Sequence, residues 1–443
     1  MTKITFIGAG SAKFVRGALA RILDTPELAD VRIALMDIDA VKLARTEALA
    51  KMMARGKHPE IAIEATTDQR RALDGATYVI VTVMVGGMKY YASDTFIPER
   101  HGLSLAVGDT SGPGAVFRLI RTAPVLRQIA DNLSDVSPDA LVINYANPMA
   151  LLTRALHEYG HTRVVGLCHS ITSSIKVLAG WLGIPAEEID YTAAGVNHLS
   201  CHLKIERNGR DLYPDLRAKS EWIVRNATNW EADTWKHEAR GYERIRIELL
   251  KLLGCFPAEG PWHQGDFYGW FRKTPESVKH YGPPAGWAYN FDLKLGEAAQ
   301  RSIDDMLAGK APLQVETSTE AEVPIIRALE TGTPYRFHGN VRNDGLIDDF
   351  PSEAFVEVPC RIDERQLKPD AVGTLPPQLA AAMQPHVAMH GLAMRGVLGK
   401  DRAMIRRAIA LDPLTQAALT LPRIDAMVDD LFAENAAYMK DWS

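Results

Sequence analysis

The chain has 443 residues, enough to bury a large core and to form two closely packed lobes. Hydrophobic residues make up 47% and charged residues 24%, and 50 Lys and Arg against 55 Asp and Glu leave a net charge of −5. That balance gives no electrostatic case for nucleic acid or an anionic membrane, and no apolar run approaches the roughly 20 residues a membrane helix needs.

The chain enters a strand at once with "KITFIG", and no basic leader precedes it, so no secretory signal is expected. "AKFVRGALARIL" follows with helical spacing, then a second buried strand "VRIALMDID" and an amphipathic helix "AVKLARTEALAKMMARG". "ATYVIVTVMVGG", "DALVINYANP" and "TRVVGLCHS" repeat the pattern. Continuous Val/Ile/Leu strands separated by helices predict a parallel, doubly wound α/β sheet covered on both faces, Rossmann-like over residues 1–195. From 196 to 443 the texture becomes mixed α+β. "SCHLKIERNGRDLYP" reads as a hairpin turning at Asn208-Gly209. Helical segments are predicted around 217–253, 295–330 and 375–438, interrupted by the strand-like "HGNVRNDGLIDDFPSEAFVEVPC". "WHQGDFYGWFRKTPESVKHYGPPAGW" has the Gly, Pro and aromatic content of an ordered loop over a site.

Two signals carry chemistry. In "GAGSAKF", Gly8 and Gly10 open the first helix after the first strand, where glycines let the backbone approach a pyrophosphate. Lys13 stands where the third glycine of that fingerprint would fall. Asp37 ends the second strand, 27 residues beyond Gly10, and a carboxylate there favours NAD over NADP. A plain strand-to-helix turn is the competing reading. The second signal is Cys168 at the end of a later strand, with His198 at another strand-to-loop junction 30 residues on. A thiolate and an imidazole from two such edges would hold one divalent ion and leave positions open for substrate. On spacing alone, a core cysteine and a satisfied histidine compete with that reading. The four cysteines (Cys168, Cys201, Cys255, Cys360) form no CxxC pair, which fits free thiols in a reducing cytoplasm. "HVAMH" places His386 and His390 on one helix face, but Val387 occupies the place of the HExxH glutamate, so packing or surface exposure is the reading there.

Taken in order, "GAGS", "MDID", "NPM", "GLCHS" and "GVNH" resemble glycoside hydrolase family 4 over nearly the whole chain. "GDTSGPGAVFRLIRT", "HGNVRNDGLID" and "VGTLP" resemble its bacterial α-galactosidase (melibiase) branch. The resemblance implies a lactate/malate dehydrogenase-like fold, bound NAD, and Mn2+ or another divalent metal. It implies hydrolysis of an unphosphorylated α-galactoside through oxidation at sugar C3, deprotonation at C2, elimination and water addition, outside the usual two-carboxylate scheme. An α-galacturonidase or α-glucuronidase is the close alternative, and an NAD-dependent dehydrogenase of the lactate/malate type the more distant one.

The resemblance makes Cys168 and His198 metal ligands and assigns Gly8, Gly10, Ser11, Asp37 and Asn147 to the cofactor. His169, beside the ligand, and Asp109, in "GDTSGPG", become candidate acids, with loop orientation and helix capping as their alternatives. Tyr242 is the candidate general base. Asn147, Asn197, His263, Arg342 and Asn343 become candidate substrate contacts. Trp262 replaces an acidic residue of the branch and is a candidate for stacking on a sugar face or enlarging an aglycone subsite. The family further implies a homodimer or homotetramer.

Overall fold

The computed structural model describes residues 1–11, 14–227 and 242–443. Among the described residues thirteen strands run in chain order: β1 Lys3–Ile7, β2 Arg32–Met36, β3 Ala62–Thr66, β4 Tyr78–Val81, β5 Leu141–Asn144, β6 Val164–Gly166, β7 Asp190–Ala194, β8 Cys201–Arg207, β9 Arg210–Asp211, β10 Phe256–Pro257, β11 Tyr335–Arg342, β12 Phe355–Asp363 and β13 Gln366–Pro369. Nine of them form one sheet, in the order β13-β12-β11-β6-β5-β4-β1-β2-β3. β1 to β6 are parallel to one another and follow the Rossmann order.

The apolar strands are explained by burial on both faces. Along β1, Ile4 and Phe6 enter one core while Ile7 enters the other; Tyr78 and Ile80 oppose Val79 and Val81 in the same way. With period-2 alternation, a strand covered on both sides has no polar face to show. The sheet order reverses between β1 and β4, so the crevice beyond their carboxyl ends is the position where such folds bind ligands.

The same sheet crosses the boundary expected at residue 195. β11 joins β6 antiparallel through Asn340 and Gly166, and β12 and β13 extend it. A smaller antiparallel sheet of β7, β8, β9 and β10 is tied to β12 by a bridge between Gly195 and Glu357. The Asn208-Gly209 hairpin forms with both residues at positive φ, 52° and 75°, as a tight two-residue turn requires.

The later helices are shorter than the periodicity predicts. The 375–438 segment divides into Pro377–Gly399, Arg402–Ala410, Pro413–Ala418 and Leu421–Glu434. Lys400 in a left-handed conformation ends the first, and the Asp401 and Asp412 side chains cap the next two. The 295–330 segment is two helices, Trp287–Leu307 and Glu322–Thr331. Part of the 217–253 segment lies outside the described residues. The expected ordered loop at 262–287 contains two helices instead, Pro261–Phe267 and Pro275–Tyr281. Proline sits in the first turn of each, and a Thr274–Ser277 capping box starts the second.

His386 is fully buried on Pro377–Gly399, its ring 5.2 Å from Phe267, so helix packing is its role. No described helix is long and apolar enough to cross a membrane.

Candidate active site

The turn after β1 is built for close backbone approach. Gly8 has φ +90°, and its N–H and that of Ala9 both donate to Met36 O at 2.9 Å. A Cβ on Gly8 would lie 3.0 Å from the Thr82 backbone, and one on Gly10 would lie 2.8 Å from Asp37 Oδ2. Asp37 closes the turn, accepting from Gly10 N–H at 2.7 Å and from Asp39 N–H at 2.8 Å. Ser11 N–H donates to Gly8 O at 3.1 Å. Lys13, the departure from the glycine fingerprint, lies outside the described residues. Asn147 stands beyond β5 on the same edge, its Oδ1 buried with no hydrogen-bond partner among the described residues. An orphaned acceptor at this crevice fits a ligand donor.

Three groups meet further along that edge. Cys168 follows β6, His198 lies in the loop from β7 to β8, and Glu259 follows β10; their ligand atoms all lie within 4.8 Å of one another. Glu259 Oε2 is 3.4 Å from His198 Nε2 and 3.9 Å from Cys168 Sγ. Glu259 Oε1 accepts from Gly260 N–H at 2.7 Å. His198 sits at φ +65°, a conformation costing a non-glycine residue about 1–3 kcal/mol. Its carbonyl accepts from the buried Gln264 at 2.5 Å.

Burial, then the negative charges of Glu259 and Glu357, push the Cys168 thiol well above its ordinary range. Burial, then His263 and His169, hold the His198 imidazole well below its own. The imidazole is therefore neutral and ready to donate a lone pair, while the thiol needs a cation to give up its proton. Sulfur, nitrogen and oxygen donors together fit a divalent metal, and the carboxylate shifts the set toward harder ions than a thiolate–imidazole pair alone would favour. Sequence spacing pairs only Cys168 with His198. Glu259 reaches them because β10 pairs with β8.

His263 packs against His198 with ring centroids 4.5 Å apart, and its Nδ1 is 3.1 Å from Thr110 Oγ1. His169 is the N-cap residue of helix Ser170–Leu182, half exposed, with Nδ1 3.6 Å from Glu320 Oε1. Asp109 is buried against Arg118, and its Oδ1 has no partner among the described residues. It does not cap the following helix, because Ser111 occupies that position. Tyr242 packs on Gly282, whose carbonyl accepts from Arg272; Arg272 pairs with Asp266, one helical turn from His263.

Three candidate substrate contacts, and Trp262, have their side chains engaged elsewhere in the fold. Arg342 lies at the opposite edge of the sheet: β11 runs antiparallel to β6 with Asn340 facing Gly166, so residues after 340 return toward the strands' amino ends. There it pairs with Asp344 at 3.3 Å. Asn343 is fully buried, donating to Ile347 O and Phe350 O at 2.9 Å and accepting from Ile347 N–H at 2.8 Å, which makes it the organiser of its own turn. Asn197 turns inward, its Nδ2 donating to Glu357 Oε1 at 3.2 Å. Trp262 is buried against Trp287, ring centroids 4.6 Å apart, in a small core with Ala106, Val107 and Ala288.

Glu357 itself escapes sequence reasoning, since it reads as one polar residue in a strand. It is fully buried, and burial pushes its carboxyl up to about 7 against the pull of bonds from Ser200, Asn197 and Asn340.

Comparison with known proteins places this geometry. The chain is 35% identical over 445 residues to an α-galactosidase of Bacillus subtilis, covering 100% of both. It is 31% identical over 451 residues to an α-galactosidase of Rhizobium meliloti, covering 100% of this chain and 90% of that one. An α-galacturonidase of Lachnoclostridium phytofermentans is 27% identical, with 100% and 97% covered. Among solved structures, a putative glucosidase of Bacillus subtilis superposes with a TM-score of 0.88 at 26% identity, over 97% of this chain and 99% of that one. A 6-phospho-α-glucosidase from gut microorganisms, solved with NAD and Mn2+, gives 0.86 at 18% identity over 100% of both and shares the fold. Malate dehydrogenase of Plasmodium falciparum gives 0.51 at 14% identity, over 90% and 99% of the two chains, a kinship of fold. The family 4 glycosyl hydrolase profile matches residues 3–184, and the profile of that family's C-terminal domain matches 193–415. The chain belongs to family 4 of the glycosyl hydrolases.

Proposed function

We propose that the protein hydrolyses unphosphorylated α-galactosides, using NAD+ and a divalent cation, Mn2+ in the first instance. The observation that carries this reading is the convergence of Cys168, His198 and Glu259 on the edge whose first turn is shaped for a dinucleotide. Similarity to two α-galactosidases supports the substrate class. When bound, NAD+ supplies a reversible hydride acceptor for sugar C3, and the cation supplies a Lewis acid for charge developing on the neighbouring oxygen.

The chain's own residues do the rest. Gly8, Gly10 and Ser11 bring the backbone to the pyrophosphate, and Asp37 receives ribose hydroxyls. Asn147 Oδ1 accepts from the nicotinamide amide or a sugar hydroxyl. Cys168, His198 and Glu259 hold the cation. Tyr242 Oη takes the proton from sugar C2, His169 delivers one to the glycosidic oxygen, and Asp109, paired with Arg118, accepts from a sugar hydroxyl. His263 orients a sugar hydroxyl beside the cation.

Two arginines among the described residues favour a neutral sugar over a uronate by their engagement elsewhere. Arg118 spends its charge on Asp109 and Asp94, and Arg342 faces the other edge. Similarity to α-galacturonidases keeps α-galacturonides, and with them α-glucuronides, as the second reading. We place the reaction in a reducing cytoplasm, where the four free thiols persist, and in a homodimer or homotetramer.

The test is turnover of aryl α-galactoside against aryl α-galacturonide, with and without NAD+, Mn2+ and reductant. Phenol release from the galactoside that needs both additions and accumulates no NADH is the expected result. Preference for the galacturonide overturns the sugar assignment, and stoichiometric NADH overturns hydrolysis in favour of a dehydrogenase.

A further inference from the structure

Glu357 is a carboxylate on β12 with no exposure to solvent, lying under the edge that carries the cation ligands. Oε2 accepts from Ser200 Oγ at 2.7 Å, and Oε1 accepts from Asn197 Nδ2 and Asn340 Nδ2, each at 3.2 Å. Its backbone pairs with Gly195 in both directions, at 2.8 and 3.0 Å. Gly195, Asn197 and Ser200 bracket His198 on both sides. Asn340 reaches the other ligand, because its Nδ2 also donates to Gly166 O at 3.4 Å, two residues before Cys168. Glu357 is also close enough to Glu259 and Cys168 to act on both electrostatically. One side chain therefore joins the loop holding the imidazole to the strand holding the thiol.

A buried carboxylate surrounded by neutral donors is a costly way to fill a strand position. The arrangement is economical if rigid spacing of two ligands is what it secures, since partners outside the ligand shell orient ligands and tune affinity. We propose that Glu357 is the positioning residue of the cation site: it sets the separation of Cys168 and His198 and holds His198 in its left-handed conformation. This rests on the cation reading above, and the experiment separates the two.

Mn2+ is titrated into NAD+-saturated protein and followed by electron paramagnetic resonance for wild type, Cys168→Ser, Glu357→Gln and Ser200→Ala. Wild-type binding that disappears in Cys168→Ser supports the cation reading; equal binding by both removes it, and the role of Glu357 with it. Given wild-type binding, Glu357→Gln keeps the volume and one acceptor but loses the charge. Its Mn2+ dissociation constant is expected to rise about tenfold or more with a changed spectrum, while NAD+ affinity and melting temperature stay near wild type. Ser200→Ala, which removes only the shortest bond, is expected to shift both readouts in the same direction by less. A Glu357→Gln protein with wild-type Mn2+ affinity and spectrum overturns the assignment. Should that variant fail to fold, an unchanged affinity and spectrum in Ser200→Ala overturns it equally.

Discussion

In the turn after β1, the main closing contacts join β1 to β2: Asp37 reaches back 27 residues to Gly10, and Met36 O gathers the amides of Gly8 and Ala9, with Thr82 beyond β4 bonding Gly8 O from the side. The cluster of Cys168, His198 and Glu259 is assembled differently. Cys168 and Glu259 are 91 residues apart, and Glu357 reaches Ser200 across 157. The first region is held by local backbone geometry, the second by two sheets meeting at the Gly195–Glu357 bridge. Local construction tolerates distant change, whereas an assembled site depends on each strand that delivers a ligand. Perturbations of the two regions should therefore separate cleanly in binding measurements.

The largest expected effect comes from the assembled region. Cys168→Ser removes the softest donor and should lower galactoside turnover by on the order of a thousandfold or more. Mn2+ resonance should show the cation lost while calorimetry shows NAD+ binding retained. Loss of both together would mean that the two regions are not independent.

Gly10→Ala attacks the local region. The added Cβ would meet Asp37 Oδ2 at 2.8 Å, so NAD+ affinity should fall at least about tenfold while Mn2+ binding changes little. Calorimetric titration of both ligands into one variant checks this, and equal losses would refute the division.

Two buried histidines of the assembled region make stability depend on pH. Burial holds His202 at about 3 and His386 at about 4, and both pack in that half. Each folded value lies below the unfolded value of about 6.5. At these two positions the unfolded chain therefore binds more protons between pH 6.5 and 4, so each costs stability as pH drops through that window, while Glu357, raised to about 7 in the fold, acts there with the opposite sign. Each such histidine contributes a slope of about 1.4 kcal/mol per pH unit there. His386→Leu should remove one such increment from the slope, read by urea unfolding at pH 4.5 to 7.

The smallest effect is expected at the far edge. Arg342→Ala removes an exposed pair with Asp344 and should leave kcat/KM within about twofold of wild type. A loss of a hundredfold would return Arg342 to the substrate site.

The sequence by itself determined the parallel sheet, because strands covered on both faces must be apolar throughout and helices must alternate with them to cover them. It also determined the Gly8–Gly10 turn, Asp37 at the strand end, the Asn208-Gly209 hairpin, and Cys168 and His198 at strand edges, since each is a statement about a few neighbouring residues. Only the tertiary structure decided which edges face one another. Register between β8 and β10 brought Glu259 to Cys168 and His198, and the antiparallel entry of β11 sent Arg342 to the opposite end of the strands while placing Asn340 beside Gly166. Asn343 has the composition of a binding residue, but its amide is consumed by its own turn. Spacing along a chain records what a local backbone can do, whereas a site closed by strand register depends on pairings between residues 54 to 174 positions apart.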